Sequence, residues 1–107
     1  MERYFDHERL IAYQLARDVA LWLLHEARFP HGTASLRDQA LRAVQSAALN
    51  IAEGRARGGD AGRNHYRIAH GSAAEGCAAL DLAQVPGAAE QQDKLRRVGA
   101  LVHGLGG

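Results

Sequence analysis

QALRAVQSAALNIAEGRARGGDAGRNHYRIAHGSAAE, residues 39 to 75, holds a polar seam on one predicted helix, then a break rich in Gly and Arg. A second helix follows that begins basic and continues in small residues. Gln39, Arg42, Ser46, Asn50, Glu53 and Arg57 recur at spacings of three or four and so share one helical face. Leu36, Ala40, Ala43, Ala47 and Ile51, with Leu41, Val44 and Ala48 beside them, fill the neighbouring faces. A polar row flanked by apolar rows is either solvated or paired. Ser and Asn compete for the backbone and are mediocre helix formers, so Ser46 and Asn50 in mid-helix point to partners elsewhere in the fold.

Those partners are expected on the next helix, where Ser72 and Glu75 share a face with Ile68, Ala79 and Leu82. Gly inside a helix costs about 1 kcal/mol relative to Ala, and Gly71 and Gly76 therefore predict a second backbone close enough to exclude a side chain. The expectation is a tight helix pair tied by hydrogen bonds among Ser46, Asn50, Glu53, Ser72 and Glu75, with Gln39 continuing the row.

Upstream, the pattern is helical from about 8 to 28. Ile11, Leu15, Val19 and Trp22 form one stripe, and Ala12, Ala16, Ala20 and Leu23 an adjoining one. Leu21 and Leu24 fall outside both, which leaves the second half of this helix apolar nearly all round, a pattern that a subunit interface would bury. Residues 1 to 7 read as a leader that docks through Tyr4 and Phe5 onto a neighbour. Phe29-Pro30-His31-Gly32 stops the first helix, and Thr33 or Ser35 caps a second over about 34 to 56. Arg57-Gly58-Gly59-Asp60 is the break, with Asp60 as N-cap of a third helix over about 60 to 84. Val85-Pro86-Gly87 stops that one. A last helix, about 88 to 103, carries Leu95, Val98, Leu101 and Val102 and is interrupted by Gly99 and Gly104. No strand is evident, so the fold class is all-α, one four-helix domain over residues 1 to 107.

The chain has 107 residues, near the size at which one domain buries a sufficient core. Twenty-one residues are alanine, so the helices pack closely but bury modest area, and self-association becomes an extra source of stability. A net charge of +1 excludes a global electrostatic drive toward nucleic acid or membranes; any basic patch is local. A single cysteine, Cys77, excludes an intramolecular disulfide and reads as a small buried hydrophobe. The longest apolar run, Val19 to Leu24, is too short to cross a bilayer, and no apolar signal core follows Met1, so a cytoplasmic location is expected.

Arg55, Arg57, Arg63 and Arg67 cluster around the break, opposed only by Asp60, with Asn64, His65, Tyr66 and His70 interleaved. Guanidinium groups beside a helix N-terminus can hold a phosphate of RNA or DNA. The same arginines can instead be solvated, or pair with carboxylates such as Glu53. Glu53 and Glu75 form a candidate carboxylate pair, but a di-iron bundle needs Glu-x-x-His on each of two helices. That motif does not occur, and no metal or cofactor is expected. Arg63-Asn64 followed by His70 fits the loose Arg, four to six residues, His pattern of HEPN-type ribonucleases, with His70 as acid or base and Arg63 on the phosphate.

Gln39, Ala43, Ser46, the run Asn50-Ile51-Ala52-Glu53-Gly54, Arg57, Ile68-Ala69, Gly71-Ser72 and Glu75 together resemble, in order and spacing, the proteins encoded in intervening sequences of bacterial 23S rRNA genes. The likeness extends to Tyr13-Gln14 with Ala16, to Phe29-Pro30 and to Leu101-Val102. It implies an antiparallel up-and-down four-helix bundle that assembles into a ring-like homo-oligomer, commonly a pentamer. It also implies kinship with the bundle-shaped accessory proteins of diversity-generating retroelements, which bind nucleic acid through a basic surface. His65 and Tyr66 stand where that family usually has two large apolar residues, and Gly76 where it has leucine. The functional expectation is a non-enzymatic oligomer that contacts RNA or DNA through the Arg55 to Arg67 surface. A purely structural assembly module and a ribonuclease are the alternatives.

Overall fold

The apolar rows fold into four α-helices, α1 (Ile11–His25), α2 (Ala34–Arg57), α3 (Gly59–Ala83) and α4 (Ala88–Gly106), preceded by a 3₁₀ turn at Asp6–Arg9. The computed structural model describes residues 4–106, and no strand occurs among them. α2 and α3 share the most extensive interface, α4 packs on α3 and closes against α1, and α1 lies on α2. Consecutive helices are thus neighbours in an antiparallel up-and-down bundle. Each contributes one row at helical spacing to a single core: Ala12, Ala16, Val19 and Leu23 from α1, Ala40, Val44, Ala47 and Ile51 from α2, and Leu95, Val98 and Val102 from α4 are all buried. Ala69, Ala73 and Leu80 complete it from α3. Alanine dominates these rows, and Ile51, Leu80 and Leu95 are the largest side chains fully enclosed. Among the described residues no helix is long and apolar enough to cross a membrane.

The connection between α2 and α3 is a single residue. Gly58 adopts φ 66° and ψ 177°, Gly59 follows at φ 57°, and the Gly58 N–H closes the last turn of α2 on the Gly54 carbonyl at 3.0 Å. Two successive positive φ values are cheap only without a Cβ. α3 consequently starts one residue before the expected N-cap. Asp60 lies inside its first turn and caps nothing, since the N-cap residue is Gly58. Thr33 does occupy the N-cap of α2, yet its hydroxyl turns back and donates to the Pro30 carbonyl at 2.6 Å, leaving no side-chain cap.

The first helix is shorter than its periodicity predicts. Leu10 is extended (ψ 126°), which separates the 3₁₀ turn from α1, and the other end stops at His25, before Phe29-Pro30. There the Glu26 and Ala27 N–H groups both reach the Trp22 carbonyl at 2.9 Å. Ile11, assigned to the buried stripe by spacing, is 49% exposed, because the first turn of α1 meets the core through Ala12 of the adjoining stripe. α3 ends on Gln84 in the left-handed conformation, its side-chain amide donating to the Asp81 carbonyl at 2.8 Å. α4 runs unbroken through Gly99 and Gly104. Cys77 is only half-buried and borders a groove between α3 and α4, with Sγ 4.0 Å from the Gln92 carbonyl.

Candidate functional site

The closest approach of α2 and α3 lies beside their turn. A Cβ on Gly62 would stand 2.6 Å from the Gly54 carbonyl oxygen, and one on Gly54 would meet the Tyr66 ring at 2.8 Å. Both distances are shorter than any real carbon contact, so each glycine is required by its neighbour. Tyr66, 7% exposed, fills the space over Gly54 at a position where the resembling family usually has a large apolar residue. Gly71, by contrast, is exposed and a Cβ there would meet nothing within 4 Å. The close backbone contact inferred at Gly71 is therefore nine residues nearer the turn, at Gly62. Gly76 does exclude a side chain, but in favour of the Val44 methyl (2.9 Å) rather than a backbone.

From this crossing the polar seam runs along the α2–α3 groove. The Asn50 side-chain amide donates to the Ser46 carbonyl at 2.9 Å and to the Ser46 hydroxyl at 3.1 Å, and the Ser72 hydroxyl donates to the same Ser46 oxygen at 3.1 Å. His65 Nδ1 stands 2.8 Å from Asn50 Oδ1. Since the amide nitrogen is committed to Ser46, Oδ1 must accept, which places a proton on His65 Nδ1. Ser46, Asn50 and Ser72 thus interlock, and His65 joins them. Glu53 and Glu75 do not. Glu53 accepts from Arg57 Nε at 2.6 Å on its own helix, and Glu75 is exposed at the rim of a small cleft with Gln39 and Arg42, floored by Ser46 and Ser72. Long carboxylate side chains reach water or an i+4 arginine more cheaply than they desolvate against each other.

At the turn all four arginines are exposed. Arg57 pairs with Glu53 and Arg63 with Asp60, each within one turn of its own helix. Arg67 makes no ion pair with a described residue, and Arg55 lies beside the Tyr66 phenol. Burial pushes the Tyr66 hydroxyl above its ordinary pKa of 10.0, while the Arg55 charge and hydrogen bond pull the other way without cancelling the rise. Because Gly58 offers no side-chain cap, the first amides of α3 are left without a side-chain acceptor at the same turn. His70 sits against Gly99 of α4, beside Arg96 in the α3–α4 groove, whereas Arg63 is drawn toward Asp60 at the start of α3. Among the described residues no group of three or more His, Cys, Asp or Glu side chains is placed to hold a metal ion.

Neither a curated protein nor a solved structure matches the chain. The family model described as 23S rRNA-intervening sequence protein matches residues 8–99, a span that includes α1 to α3, the seam and most of α4. With that match across most of its length, and with the four-helix architecture, the chain belongs to the 23S rRNA-intervening sequence protein family.

Proposed function

We propose that the protein is a non-enzymatic, self-associating bundle of the cytoplasm that contacts the phosphates of RNA or DNA through the α2–α3 end. The observation that carries this reading is the exposure of Arg55, Arg57, Arg63 and Arg67 around an uncapped helix start, where, among the described residues, Glu53 and Asp60 are the only carboxylates ion-paired with them. Exposed ion pairs such as Arg57–Glu53 contribute about 0–1 kcal/mol. A phosphate offers each guanidinium a bidentate, charge-assisted partner, so the two pairs are weak competitors for it. Self-association would repeat the patch around a symmetric assembly and multiply a modest local charge. The exposed α1 residues Leu21 and Leu24, each 45% exposed, support that association, and the family resemblance favours a pentamer.

Fluorescence anisotropy with labelled RNA between 50 and 200 mM salt tests the reading. If four phosphates are neutralised, log K falls with log salt at a slope of roughly −3, and replacing all four arginines by Ala removes most of the affinity. Affinity that is unchanged in the four-Ala variant overturns it. Loss of the oligomer on Arg57→Ala or Arg63→Ala, with nucleic-acid binding unaltered, would instead assign the patch to subunit contacts.

A further inference from the structure

Beyond the phosphate contacts, and resting on the reading just given, we infer that the nucleic acid this end receives is single-stranded, with an unpaired base stacking on Phe5.

Phe5 is 76% exposed, the most exposed large apolar residue described. Its backbone is nevertheless held. Its N–H donates to the Glu8 carboxylate at 2.7 Å, and its carbonyl accepts the Glu8 N–H at 3.0 Å. The Phe5 ring runs near-parallel to the His7 imidazole and offset from it, centroids 6.0 Å apart and planes 17° from parallel. His7 in turn meets Tyr13 edge-on at 4.6 Å, and Tyr13 is half-buried against the core. Three rings thus step outward from the body of α1, the last with an open face. A hollow of about 520 Å³ adjoins them, lined among others by His7, Tyr13, Arg9 and Arg17.

Helix lengths place this ladder beside the arginines. α1 has 15 residues and α2 has 24, rises of about 22 and 36 Å. The two run antiparallel, so the chain ahead of α1 lies along the final turns of α2, and the 3₁₀ turn does pack on α2. Those final turns carry Arg55 and Arg57. Aromatic ring and cations therefore occupy one end of the bundle.

A base in a duplex has both faces covered by its neighbours, and an exposed phenyl ring gains nothing from phosphates. An unpaired base has a free face, and stacking of that face on an aromatic side chain is tolerant of base identity. An outward ring on a hydrogen-bonded turn next to a phosphate-binding surface is the pairing of features that single strands require, and one that duplex binding leaves unused.

The test is anisotropy with a labelled twelve-nucleotide oligouridylate and competition by relaxed, covalently closed circular duplex, which has no open end for a ring to stack on, using wild type, Phe5→Ala, Phe5→Trp and the four-Ala arginine variant. Phe5→Ala is expected to weaken the single strand about ten-fold and leave the duplex unchanged, while Phe5→Trp retains affinity. If wild type binds and Phe5→Ala leaves single-strand affinity unaltered, the stacking role is overturned and the basic surface stands. A Phe5→Ala loss equal on both nucleic acids, accompanied by a smaller sedimenting mass, overturns it too and makes Phe5 a subunit contact. Wild type that binds neither probe removes the basic-surface reading itself.

Discussion

At Gly62 one methyl group decides whether α2 and α3 can meet, because the Gly54 carbonyl occupies the place where a Cβ would go. Gly62→Ala is expected to cost about 1–3 kcal/mol through forced separation of the helices, less the propensity gained. Gly71→Ala, open on all sides, should gain about 0.5–1 kcal/mol; urea unfolding of the two variants reads both signs. The sequence contained the cue to this difference. Gly54 and Gly62 lie four residues before and four after Gly58, hence opposite one another across the turn, whereas Gly71 has no such mate. An absent Cβ reveals that room was spared but not what uses it. Tyr66 supplies a second residue-scale test. Its folded pKa is raised, so the unfolded chain releases the phenolic proton first, and stability that is complete below pH 10 is lost as pH rises beyond it. Tyr66→Phe should flatten that alkaline decline in denaturant titrations, and Arg55→Ala should steepen it.

The α2–α3 pair is the element in which most of the seam was legible. Ser46, Asn50 and Ser72 stood out because hydroxyl and amide side chains in mid-helix need partners, and those partners exist. His65 did not stand out, being grouped with the basic residues near the break. Registering the two helices about Gly58 sets position 66 opposite 50, and His65 falls one residue from that mate, within reach of Asn50. Glu53 and Glu75 were misread for a different reason: helical spacing fixes a side chain's azimuth but not how far it extends along a groove edge. A double-mutant cycle of Ser46→Ala and Ser72→Ala should show a coupling of about 0.5–1 kcal/mol, with Ser46→Ala the costlier single change because two donors lose that oxygen. Additive energies would mean that the hydroxyls are merely adjacent.

For the whole molecule, the four-helix class and the order of the helices followed from apolar periodicity and from the Pro and Gly punctuation. Element ends did not, since Leu10, Gly58 and His25 are settled by backbone hydrogen bonds that periodicity does not encode. The apolar surplus on α1 was visible in both, as Leu21 and Leu24 outside the buried stripes and as side chains 45% exposed. If that surplus serves self-association, sedimentation of wild type gives a mass several times that of one chain, and Leu21→Asp with Leu24→Asp returns it to the single-chain value. A single-chain mass for wild type would leave the leucines unexplained.

The one-residue connection at Gly58 also has a consequence in time. The longest interface of the bundle joins two helices with almost no intervening chain, so the loop entropy spent in bringing them together is minimal. This hairpin should therefore condense before α1 and α4 dock, making it the kinetic nucleus. In stopped-flow experiments Ile51→Val would slow refolding, whereas Leu95→Ala on α4 would chiefly hasten unfolding.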